Sequence, residues 1–181
     1  MDIAKLGAEQ LRVVTPTEEQ LKHIKASRKE IYIILDNVLD TYNIGSIFRL
    51  ADAVGAKKIL LCAGSETPPN SRIQKASIGT WQWVDWEYSA DTKSAIEKLK
   101  NENVKLKVIA VELDEKAIDY TKADYTLPVA LVVGHESNGI SKEILSMCDE
   151  IVQLPQLGIN KSLNVMVSLG IVLYEALEQV A

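Results

Sequence analysis

Short apolar runs rich in β-branched residues recur along this chain and restrict its fold more than any other feature. Ile31 to Leu35 is continuous and apolar, and Lys58 to Cys62, Leu106 to Val111 and Val129 to Val133 are nearly so. A strand that is apolar on both faces has to be covered on both, which is the condition of a central strand in a mainly parallel sheet. Helical patterns lie between the runs. Thr17-Glu18-Glu19-Gln20 has the form of a capping box and predicts a helix from about Glu18 to Ser27, with Leu21 and Ile24 turned inward. In NIGSIFRLADAV, Ile44, Ile47, Leu50, Ala51 and Val54 fall at helical spacing. Further helices are predicted over Asp91 to Asn101, Ser141 to Met147 and about Ser162 to Val180. This alternation gives an α/β fold, a mainly parallel sheet flanked by helices. The 181 residues, 47% of them hydrophobic, suit one domain with a sizeable core. Residues 1–30 read as an N-terminal helical segment packed on the same domain, which spans 31–181.

Two segments are read differently. Gly64 to Gly79, rich in Ser, Thr, Pro and Gly, reads as a loop. Trp81, Trp83 and Trp86 follow at spacings near two, which suits an extended segment whose aromatic rings fill a core or a subunit interface.

The longest apolar run, near Val165 to Leu173, is shorter than a bilayer requires, and the Met1 end lacks a basic-then-apolar pattern. A cytoplasmic protein with no membrane partner is expected. Cys62 and Cys148 lack the paired spacing of a zinc site, so reduced thiols and no metal are expected. A net charge of −5 counts against a nucleic-acid binder that works by bulk positive charge. It leaves room for a local patch: Lys22, Lys25, Arg28 and Lys29 cluster before the first strand, and Arg72 and Lys75 follow in a later loop. Each group also reads as a solvated helix face.

In sheets of this kind ligands bind beyond the carboxyl ends of the strands. Three polar segments stand at such places: Asn43 to Arg49, Gly134 to Gly139 (GHESNG), and Asn160 to Asn164. The last follows a strand of Ile151, Val152 and Leu154 that Pro155 and Gly158 terminate. The helix start at Ser162 leaves free N–H groups, which either Asn160 or Ser162 caps or a ligand's oxygens accept. No GxGxxG, GxxxxGK[ST] or GxSxG pattern is present, so the usual dinucleotide, P-loop and hydrolase readings lack support.

The three segments together, NIGSIFRLADAVGA, VVGHESNGIS and LPQLGINKSLNVMVS, resemble in order the three motifs of the SpoU, TrmH-like, branch of the SPOUT RNA methyltransferases. The likeness runs from about Ile31 to Leu177. It implies a carboxy-terminal deep trefoil knot, an exception to the rule that chains do not knot. It also implies S-adenosylmethionine held by the knot loops, a homodimer with the active site at its interface, and methyl transfer to a ribose 2′-hydroxyl of RNA, of tRNA before rRNA. By the same resemblance Arg49, Asn43, Glu136, Ser162 and Asn164 are catalytic, and Val111, Gly134, His135, Leu154, Ser162 and Leu163 bind the cofactor, with Leu163 packed on its adenine.

A ribose hydroxyl attacks poorly until its proton is removed, so a base or a strongly polarising donor has to be close. Arginine ordinarily keeps its proton. Arg49 is therefore read as an electrostatic contact to the target phosphate and the developing alkoxide, whether or not it carries the proton. Asn43 fixes the loop or the substrate ribose, or caps a helix. Glu136 orients Arg49 or Asn43, or is solvated. His135 is an acid–base candidate by type, and is read as a cofactor-loop residue. Two other classes stand beside the enzyme: a non-catalytic knotted RNA-binding or assembly subunit, and a small-molecule enzyme using an unrelated nucleotide.

Overall fold

The structure is a computed structural model that describes Gly7 and residues 15–180. The rest of the expected N-terminal segment lies outside the described residues. Helix α1 (Glu18–Ser27) opens with the capping box: the Thr17 hydroxyl accepts the Gln20 N–H at 3.2 Å, and the Gln20 side chain accepts the Thr17 N–H at 2.9 Å. There follow β1 (Lys29–Asp36), α2 (Thr41–Ala53), β2 (Ala56–Cys62), α3 (Ser71–Ser77), β3 (Trp86–Ser89) and α4 (Thr92–Glu102). The second half holds β4 (Lys107–Val111), β5 (Ile118–Asp119), β6 (Val129–Gly134), α5 (Lys142–Met147), β7 (Glu150–Gln153) and α6 (Val165–Gln179).

The seven strands form one parallel sheet in the order β3-β2-β1-β6-β4-β7-β5. Because side chains alternate along a strand, β1 feeds two cores. Ile31, Ile33 and Leu35 face Ile44, Ile47 and Phe48 of α2 and Leu169, Val172 and Leu173 of α6. Tyr32 and Ile34 join the opposite core with Ile96 and Leu99 of α4 and Ile144 of α5. Both thiols are free; burial pushes Cys62 and Cys148 up to about 12, so they remain protonated packing residues.

Three expectations are corrected. The segment Gly64 to Gly79 contains α3, started by Asn70, whose side-chain oxygen accepts the N–H groups of Arg72 and Ile73. The three tryptophans do not share a strand. Ile78 and Gly79 both have positive φ (50° and 88°), Thr80–Gln82 is a single 3-10 turn, and the strand begins only at Trp86. Finally, α6 starts at Val165, and its cap is Asn164, whose side chain accepts the Met166 N–H at 2.9 Å. Neither Asn160 nor Ser162 caps it. Among the described residues, no helix is long and apolar enough to cross a membrane.

Candidate active site

Strand β4 pairs with β6 on one side and β7 on the other, so the segments leaving their carboxyl ends converge. They enclose a cleft of about 490 Å³, within the usual range for small-molecule sites. Val111 ends β4, Gly134 ends β6 and Leu154 follows β7, and all three line it. His135, Glu136, Ser162, Leu163 and Asn164 complete the predicted residues found there. The wall is mixed, with Val111, Leu154 and Leu163 supplying apolar surface beside carboxylates, serine hydroxyls and backbone groups.

A chain of hydrogen bonds joins the three polar segments at this cleft. The Glu136 carboxylate accepts the Leu39 N–H at 3.2 Å, the Asp40 N–H at 3.0 Å and the Asn43 amide at 3.1 Å. The Asn43 side-chain oxygen then accepts the Asn164 amide at 3.1 Å, and Asn164 caps α6 with its own oxygen. Asn43 is 5% exposed and does not line the cleft; it sits behind Glu136 and Asn164 and links them. Of the alternatives open for Glu136, the geometry selects the contact to Asn43. Partial burial pushes the Glu136 carboxyl up, but its own backbone N–H, the Asn43 amide and the N–H groups of Asp40 and Leu39 outweigh that and hold it below the usual carboxylate range.

His135 shapes its own turn. Its Nδ1 accepts the N–H groups of Ser137 at 3.0 Å and Asn138 at 3.3 Å, and its backbone oxygen accepts the Gly139 N–H at 2.8 Å. With Nδ1 occupied as an acceptor, a neutral ring carries its proton on Nε2. Ser162 is exposed at the cleft.

Arg49 is not brought to this cleft. It is exposed on α2 and makes no ion pair or hydrogen bond among the described residues. Its neighbour Leu50 packs on α6, 3.4 Å from where a Cβ on Gly170 would stand. Beside this contact α6 exposes an apolar stripe of Val167, Ile171 and Tyr174, which borders a hollow of about 880 Å³.

The expected basic patch is also altered. Arg28 is buried, with a side chain 3% exposed, because it holds the Ala56 and Trp83 carbonyls and the Asp52 carboxylate. Lys25 pairs with Asp85, and the Lys29 ammonium donates to the Val180 carbonyl. Lys22, Arg72 and Lys75 remain exposed and unpaired among the described residues.

Glu112 is a cleft residue that sequence reasoning missed. Its signal was an acid directly following an apolar strand, at the end of the sheet where ligands bind.

Residues 30–174 match the SpoU rRNA Methylase family. The chain is 32% identical over 168 residues to the tRNA (guanosine(18)-2′-O)-methyltransferase of Aquifex aeolicus, covering 90% of this chain and 77% of that protein. It is 30% identical over 153 residues to the Escherichia coli K12 protein of the same name, covering 83% of this chain and 64% of that one. Among solved structures, the A. aeolicus TrmH/SpoU tRNA modifying enzyme superposes with a TM-score of 0.78 at 31% identity, over 90% of this chain and 83% of that one. The AdoMet-bound rRNA methyltransferase of Sinorhizobium meliloti gives 0.78 at 30% identity, over 89% and 60%. The motif residues gathered at the cleft and the match over most of the chain lead to one conclusion: this chain belongs to the SpoU family of RNA methylases.

Proposed function

We propose that this chain is an S-adenosylmethionine-dependent RNA methyltransferase that methylates a ribose 2′-hydroxyl, with tRNA as its substrate. The observation that carries this is the hydrogen-bonded chain Glu136–Asn43–Asn164, which ties all three family motifs to the rim of one cleft. The names of the A. aeolicus and E. coli relatives support tRNA over rRNA.

The cleft suits the cofactor. Its volume accepts an adenosine-bearing molecule, Leu154 and Leu163 offer apolar surface to a flat base, and Val111, Gly134 and His135 lie where backbone groups can meet its polar atoms. The cofactor supplies an electrophilic methyl on a sulfonium sulfur. The protein's own part is to orient and polarise. Asn43 and Glu136 hold the first loop against the second, and Asn164 and Ser162 present polar groups at the rim. Arg49 supplies the positive charge for the target phosphate and the developing alkoxide.

Arg49 lies outside its own cleft, which favours a composite site. The stripe of Val167, Ile171 and Tyr174 is the face for a second copy of this chain, and the Leu50–Gly170 contact brings Arg49 to its edge. In that homodimer Arg49 serves the partner's cleft. The segment after β7 that forms one wall of the cleft is read as the threaded part of a trefoil knot. Helix α1 packs on the domain of 31–181, a reading that Leu21 on the core supports, and the compartment is the cytoplasm.

Calorimetry separates this function from the nearest other class. S-adenosylmethionine should bind at one site per chain while ATP and NAD do not. Binding of either of those in its place would make this a different nucleotide enzyme.

A further inference from the structure

Glu112 joins the two walls of the cleft. It follows β4, and one carboxylate oxygen accepts the N–H of Leu113, the next residue, at 2.9 Å. The other accepts the N–H of Ile140 at 2.8 Å, across the cleft wall in the segment that follows β6. Gly139 comes so close that a Cβ there would meet the Glu112 carboxylate, and its φ of +64° is one that other residues rarely adopt. At the base of the same turn, a Cβ on Gly134 would run into the Gly139 backbone. The turn 135–139 is therefore folded tightly on itself, and Glu112 is the side chain from outside it that accepts the N–H at its end.

We propose that Glu112 is a positioning residue for cofactor binding: it holds the 135–139 turn in the shape that closes the cleft. This rests on the reading of the cleft as the S-adenosylmethionine site. Charge-assisted acceptance of backbone N–H groups is among the stronger hydrogen bonds, and here both donors belong to loops. Without the carboxylate, the Ile140 N–H loses its acceptor: the start of the turn stays tied to the first loop through Glu136, while its far end keeps only bonds within the turn, those of the His135 ring and of Gly139 to His135. Glu112 belongs to neither buried cluster, although Ile140, whose N–H it accepts, packs at the edge of the second, so its loss acts first on the shape of the cleft and only marginally on the core.

The test uses the full chain with Glu112→Ala and Glu112→Gln, and titrates S-adenosylmethionine by calorimetry. Glu112→Ala should weaken binding about tenfold, equivalent to ~1.4 kcal/mol. Glu112→Gln retains one acceptor and should fall between. The melting midpoint of the ligand-free variants should fall by no more than a few degrees, leaving the chain folded at the temperature of the titration. Hydrogen exchange without ligand should speed up at residues 135–140 and stay unchanged in β1 and β6. Unchanged affinity in Glu112→Ala would overturn the proposal, as would an affinity that falls only as the folded fraction does. If the unmodified chain does not bind S-adenosylmethionine, the cofactor reading fails. The exchange measurement then still decides separately whether Glu112 holds the turn.

Discussion

Asn43 uses both halves of its amide inside the protein, donating to Glu136 and accepting from Asn164. Removing either partner leaves a buried polar group unpaired, which costs about 1–3 kcal/mol. Asn164→Ala also removes the cap of α6, about 1 kcal/mol more. For a chain of this size each kcal/mol lowers the melting midpoint by ~2–4 °C. We expect a folded variant that melts several degrees lower, while turnover falls far more than this loss explains; parallel melts and rate measurements check it. If turnover falls only as the folded fraction does, Asn164 is a cap and nothing else. Glu136 adds a pH dependence. Its carboxyl sits below the usual range when folded. Its contribution is therefore full above the unfolded value of about 4.3 and is lost as pH falls through the lower folded one. Cofactor affinity should be level from neutral pH to about 5 and drop on the acid side, and Glu136→Gln should lack that acid limb. Titrations across pH decide this. The identities of Asn43, Glu136 and Asn164 were legible in the sequence because they sit in three motifs, but their bonding was not. Nothing in residue spacing says that Asn43 reaches Asn164, 121 positions away.

At the scale of elements, α2 is packed by two neighbours with different tolerances. A Cβ on Gly45 would stand 2.6 Å from the Ala76 Cβ and 2.8 Å from the Ile73 carbonyl oxygen, so α3 lies against bare backbone. Gly45→Ala has to push α3 away, and overpacking of this kind costs about 1–3 kcal/mol. A thermal melt should show a clear drop, and an unchanged midpoint would mean that α3 is only loosely held. The strands were legible because a sheet covered on both faces demands apolar runs, and β1, β2, β4 and β6 carry them. Helix α3 was not, because its seven residues hold a single large apolar side chain, Ile73, inside a stretch of turn-forming residues. Arg28 was misread for a similar reason. Sequence shows a cation beside three lysines, while the fold turns it inward onto Asp52 and two carbonyls.

Across the whole molecule, the position of Arg49 is what motivates the proposed homodimer. Val167, Ile171 and Tyr174 repeat at helical spacing on α6 and are 40%, 37% and 53% exposed, a stripe left uncovered among the described residues. Ile171→Asp places a charge in that stripe. It should yield a monomer in sedimentation that still binds S-adenosylmethionine but does not transfer methyl groups. A monomer with full activity would put Arg49 to work in its own subunit. The proposed methyl transfer is checked by incubating the purified chain with unmodified tRNA and methyl-labelled S-adenosylmethionine, then digesting the RNA to nucleosides. Label should appear in one 2′-O-methylated nucleoside, and be absent with Arg49→Ala although that variant still binds the cofactor. Label on a base instead of a ribose, or undiminished transfer by Arg49→Ala, would contradict it.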